Sequence, residues 1–166
     1  LHDFGKATPG FQVKWQGGEQ TCRAAGLSFE PARALQCDRH SLATQALLPE
    51  LLSDICGADP EWCRRVVQAI SAHHGFHFLQ TDVDQNGPAR QPAEWIAARR
   101  SLLEIYWSAL SPEGAPPDRP CDFPVINWLA GLVSAADWIG SNTDWFPMGG
   151  RCQDFGGYWE DARARA

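Results

Sequence analysis

Two dipeptides in this 166-residue chain, His2-Asp3 and His73-His74, join donors that suit divalent transition metals. His40 and Asp137 extend the set. Asp137 follows Val133, Leu129 and Ile126 at helical steps, so it falls on their apolar stripe. A carboxylate there needs a cation, a network of donors or a metal. His73 follows Ile70, Val66 and Trp62 in the same way, with His74 about 100° further round. Taken singly, an inward histidine is more often a hydrogen-bonded core residue, and an inward aspartate more often a cap or an ion-pair partner. Their co-occurrence at successive helix ends is what points to a metal site. The remaining histidine, His77, lies just past Gly75 and reads as a rim residue.

The elements that must position these groups are helical. From Ser41, the residues Leu42, Ala46, Leu47, Leu51 and Ile55 recur at helical spacing, and Gly57 supplies a stop. Asp59 caps the next helix, Pro60 suits its first position, and Gly75 breaks it after His73-His74. A polar loop is expected from Leu79 to Gln91, then a helix from Pro92 to about Leu110. Prolines 112, 116, 117 and 120 make residues 111–122 a loop, and a further helix spans Pro124 to Ile139, ended by Gly140. The start is turn-rich, residues 16–37 read as an irregular arm, and Tyr158 to Ala166 reads as a short helix. Strand-like alternation is scarce, so the fold class is all-α.

Composition narrows the function classes. With 44% hydrophobic and 20% charged residues, the chain is expected to fold as one domain rather than stay disordered. No run of about 18 apolar residues exists to span a membrane. The formal charge of −6 argues against a general nucleic-acid coat. The six cysteines form no C-x-x-C pair, which excludes a zinc ribbon; they read as reduced thiols of a cytoplasmic protein. A phosphate-binding loop and a Rossmann glycine set are both missing, so no ATP site is expected. Most tryptophans are expected in the core. The chain opens on Leu1 without a secretory signal, its sole methionine is Met148, and it reads as a piece of a longer polypeptide.

The order H…HD…H…HH…D resembles the signature of the HD-type metal-dependent phosphohydrolases. The strings Leu1-His2-Asp3-Phe4-Gly5-Lys6-Ala7-Thr8-Pro9-Gly10-Phe11-Gln12, Arg39-His40-Ser41-Leu42, Ala72-His73-His74-Gly75 and Gly131 through Asn142 carry the likeness. More narrowly, the chain is similar to the HD nuclease domain of type I CRISPR-associated nuclease-helicases. That resemblance implies a helical bundle with a dinuclear metal site between its helices. It places metal ligands at His2, Asp3, His40, His73, His74 and Asp137. Asp3 would bridge the ions, His2 and Asp137 would serve one, and His40, His73 and His74 the other. Iron, manganese, nickel or cobalt suits these donors. Asp3 and Lys6 would act in catalysis, Lys6 beside the scissile phosphate unless it is a plain surface lysine.

The resemblance also implies an antiviral nuclease that degrades single-stranded DNA opened by a CRISPR surveillance (Cascade-type) complex. Residues 1–157 would be the nuclease domain, and 158–166 the start of the connection to a helicase domain of the same full-length protein. In the family a further histidine ligand precedes the HD pair, so the ion at His2 and Asp137 is expected to bind more weakly here. Arg39, Arg64, Arg65, Arg90, Arg99 and Arg100 are candidate DNA contacts, and an exposed tryptophan near the site could stack on a base. A phosphohydrolase for nucleotides or cyclic dinucleotides, and a non-catalytic docking domain, are the alternatives.

Overall fold

Prolines and glycines set the borders of the helices. The computed structural model describes residues 1–30, 37–88, 91–146 and 154–165, and no strand occurs among them. A 3-10 turn, Phe4–Lys6, leads into the short helix α1 (Pro9–Gln12). Helix α2 (Gly18–Ala24) lies where an irregular arm was expected; Gly17, in the left-handed region at φ 81°, makes its entry turn. Helix α3 (His40–Cys56) stops at Gly57, whose φ of 69° is again left-handed. Helix α4 (Pro60–Ser71) begins as expected, with the Asp59 carboxylate accepting from the Trp62 N–H at 2.8 Å.

Helix α5 (Gln80–Asn86) occupies part of the expected Leu79–Gln91 loop. Its polar residues hid it, yet the Asp82 carboxylate accepts from the Leu79 N–H at 3.1 Å and ties down the first turn. Helices α6 (Ala93–Leu110) and α7 (Phe123–Gly140) match the expected spans closely. Helix α8 (Phe155–Arg165) starts before the expected Tyr158. The proline-rich 111–122 segment is a loop fastened to α4. Asp59 N–H donates to the Pro117 carbonyl and Arg65 Nη1 to that of Cys121, both at 2.8 Å.

The main core joins Leu48 and Leu52 of α3, Cys63, Val67 and Ile70 of α4, Leu103 of α6 and Phe4. Fully burying one such aliphatic side chain contributes about 1.5–3 kcal/mol. The buried centre of α3 is therefore one step round from the expected Leu47 and Leu51. The cause lies in its first turn, where Ser41, Leu42, Ala43 and Thr44 are all buried between the N-terminal turn and the Phe78 segment.

The expectation that most tryptophans are core residues is not met. Trp95 is buried, whereas Trp15, Trp128, Trp138 and Trp145 are more than half exposed. Three of these lie on or just after α7, whose outer face also exposes Phe123, Val125, Leu132 and Ile139. No other described element covers that face. Among the described residues, no disulfide joins Cys22, Cys37, Cys56, Cys63 or Cys121; Cys152 and Arg90 lie outside the described residues. Among the described residues, no helix is long and apolar enough to cross a membrane.

Candidate metal centre

Three segments converge at the N-terminal end of α3. The chain start carries His2 and Asp3, and α3 opens on His40. Helix α4 ends at Ser71, earlier than the sequence pattern implied, and the backbone turns at Gly75 with φ 92°. His73 and His74 therefore project from the turn beyond the helix rather than from its last turn. Helix α7 adds Asp137 from its inward face.

All six expected ligands come together. The Nε2 atoms of His40 and His73 are 3.3 Å apart, and those of His40 and His74 3.2 Å. On the other side, His2 Nε2 lies 3.3 Å from Asp137 Oδ1 and 3.4 Å from Asp3 Oδ2. Asp3 stands between the two groups. Its Oδ1 is 3.2 Å from His40 Nε2 and 3.8 Å from His73 Nε2, while its Oδ2 faces His2. The donor atoms fall into two sets able to hold an ion, His40-His73-His74 and His2-His73-Asp137, so His73 borders both.

The protonation states suit ligation. Buried His73 donates Nδ1–H to the Ile70 carbonyl at 2.9 Å, which leaves the Nε2 lone pair facing the cluster. Burial, reinforced by the His74 and His2 rings, pushes the His73 pKa down and keeps the ring neutral. Partial burial opposes ionisation of Asp3, but His2, His40 and Lys6 outweigh it and hold the carboxyl well below the usual carboxylate range. Lys6 Nζ lies 2.5 Å from Asp3 Oδ2 and over the Phe11 ring, with its side chain 43% exposed. Most telling is His2 Nε2, a buried nitrogen with no hydrogen-bond partner. A buried imidazole nitrogen facing two carboxylates without a hydrogen bond of its own is suited to a ligand role, so the donor set fits divalent ions.

Beside this group a cleft of about 490 Å³ opens, lined by Leu102, Tyr106, Gly140, Ser141 and Tyr158 together with His2 and Asp137. The expected accessory residues fare unevenly. His77 is exposed and outside both donor sets. Arg99 is no DNA contact. It is buried, donates Nη1 to the Ala7 carbonyl at 3.0 Å, and burial lowers its pKa to about 10. Arg64 and Arg65 pair with Glu61, and Arg100 pairs with Asp54 and Glu104. Arg39 stacks over Phe78.

Sequence reasoning missed two residues that fix the backbone of His2 and His40, Gly5 and Thr44. The Gly5 N–H donates to Thr44 Oγ1 at 2.8 Å, and a Cβ at Gly5 would meet the His40 carbonyl oxygen at 1.9 Å. Their only trace in the sequence is the glycine directly after Asp3-Phe4 and a threonine one helical turn past His40.

The chain is similar to known proteins. The family model for "Cas3, HD domain" matches residues 1–146. The "CRISPR-associated endonuclease/helicase Cas3" of Thermus thermophilus is 31% identical over 159 residues, covering 90% of this chain and 16% of that protein. A solved structure described as "Crystal structure of CRISPR-associated protein" superposes with a TM-score of 0.82 at 34% identity, over 99% of this chain and 19% of the other. The chain thus spans under one fifth of the length of either relative. From the donor set, the all-α frame and these likenesses together, the chain belongs to the Cas3 HD-domain family.

Proposed function

We propose that this domain is a metal-dependent nuclease that hydrolyses phosphodiester bonds of single-stranded DNA. The observation that carries the reading is Asp3, whose Oδ1 faces His40 and His73 while its Oδ2 faces His2. His40, His73, His74 and Asp3 Oδ1 would hold one divalent ion, and His2, Asp137 and Asp3 Oδ2 the other. A bound pair would supply Lewis acidity toward the phosphodiester and offset the charge that develops on its leaving oxygen. Asp3 stays ionised between the two positions, and His73, locked by Ile70, keeps its lone pair directed at them. Lys6 provides a partly exposed ammonium beside Asp3, placed to hold a phosphate oxygen. The open cleft beside Asp137 gives a strand room to lie against the centre.

The net charge of −6 is compatible with this role. Two divalent ions would add four positive charges where the phosphate must approach. The wider reading takes its partners from the Thermus relative, whose name joins an endonuclease to a helicase and to CRISPR. On that reading residues 1–157 form the nuclease domain, 158–166 begin the connection to a helicase domain, and a surveillance complex in the cytoplasm exposes the single strand.

The test offers circular single-stranded DNA, duplex DNA and a panel of nucleotides and cyclic dinucleotides in manganese, nickel or iron(II). Linearisation of the circle is the expected result, with Asp3→Ala and His74→Ala both inactive and both folded by circular dichroism. Phosphate release from nucleotides alone would replace the nuclease with a nucleotide phosphohydrolase. Silence on every substrate with metal demonstrably bound would leave a docking domain.

A further inference from the structure

Thr44 sits at the junction of the two ligand-bearing segments, fully buried in the second turn of α3. Its Oγ1 accepts from the Gly5 N–H at 2.8 Å and lies 3.0 Å from the His2 carbonyl and 2.9 Å from the His40 carbonyl. The contact with His40 by itself is the ordinary bond of a helical threonine to the carbonyl one turn back. The contacts with His2 and Gly5 are different, because they reach across 42 and 39 residues of chain. One hydroxyl thereby grips the backbone on both sides of Asp3 and the backbone of His40.

The bare Cα of Gly5 lets that grip close. The segment rests so tightly on α3 that a methyl group at Gly5 would collide with the His40 carbonyl. Thr8 adds a bond from its hydroxyl to the Gly5 carbonyl at 2.9 Å, which keeps the turn in shape.

We infer that Thr44 is a positioning residue for the metal centre: its hydroxyl sets the spacing between His2-Asp3 and His40, and so the affinity for both ions. The inference rests on the reading of His2, Asp3 and His40 as ligands. Thr44 touches neither ion nor substrate. Its influence runs through backbone carbonyls, as outer-shell groups commonly act on metal ligands.

The experiment titrates cobalt(II) into metal-free wild-type protein and into Thr44→Ser, Thr44→Ala, Thr44→Val and Asp3→Ala, following the visible cobalt absorption and equilibrium dialysis. Thr44→Ser keeps the hydroxyl and is expected to bind as the wild type does, with the same spectrum. Thr44→Ala and Thr44→Val are expected to bind roughly 10–100-fold more weakly with an altered spectrum. Should the valine variant not fold, the serine–alanine pair still isolates the hydroxyl. Equal affinity and equal spectra for the serine and alanine variants would overturn the role of Thr44, as would a loss of thermal stability without a change in cobalt binding. A wild-type protein that takes up no cobalt would overturn the metal centre itself. Wild-type binding that Asp3→Ala abolishes and Thr44→Ala preserves would overturn the positioning role alone.

Discussion

Asp3 and Lys6 divide the work of one small neighbourhood. The carboxylate is held ionised by three neighbours, and the ammonium at 2.5 Å is one of them. Lys6 is also the partner with exposed surface, so its charge is available to something arriving from solvent. Lys6→Ala is expected to lower the rate of strand cleavage roughly 100-fold, the scale of losing one positioned charge at a reacting phosphate. Metal uptake measured by elemental analysis is expected to match that of the wild type; a lower metal content would make Lys6 a structural partner of Asp3. The six donors that cluster here were legible in the sequence because donor type and motif order survive without coordinates. Thr44 and Arg99 were not. A threonine and an arginine are ordinary helix residues, and only packing reveals that one is wedged under His2 and the other under Ala7.

Among the elements, α4 and its cap decide where His73 and His74 arrive. The Asp59 carboxylate holds the first turn through the Trp62 N–H, and its own N–H is tied to Pro117. Asp59→Ala is expected to cost about 1 kcal/mol, the usual value of a helix N-cap, read as a lowered midpoint in urea. An unchanged midpoint would mean that the proline-rich loop alone fixes the start of α4. The borders of α3, α4, α6 and α7 could be read from Gly57, Asp59-Pro60, Pro92 and Gly140, because those residues act locally. Helices α2 and α5 were opaque for the opposite reason. Both are two-turn helices without an apolar stripe, so periodicity had nothing to register. The early end of α4 is a tertiary effect as well, since the turn at Gly75 swings both imidazoles toward α3.

For the whole molecule the outer face of α7 matters most. Trp128 and Leu132 are 66% and 48% exposed there, one turn apart, with Val125 and Ile139 extending the strip. Apolar patches of this kind bind partners or drive association. The purified domain is expected to self-associate with rising concentration in sedimentation velocity. Trp128→Lys combined with Leu132→Lys is expected to restore a monomer without loss of helix content. Identical sedimentation of the two proteins would show that the strip is not sticky. The seating of Gly5 on α3 has a consequence for the order of folding. That contact closes a long loop in which backbone lies against backbone, and the segments it unites carry the donors His2, Asp3 and His40, with His73, His74 and Asp137 added from further along the chain. Loop closure on this scale comes after local helices have formed. In a zinc finger, nearby residues in a short chain capture the metal and folding follows. Here the cage exists only once distant parts of the chain have met. An ion taken up by this domain would therefore arrive at a finished scaffold and act on it as a latch, slowing its opening rather than guiding its assembly.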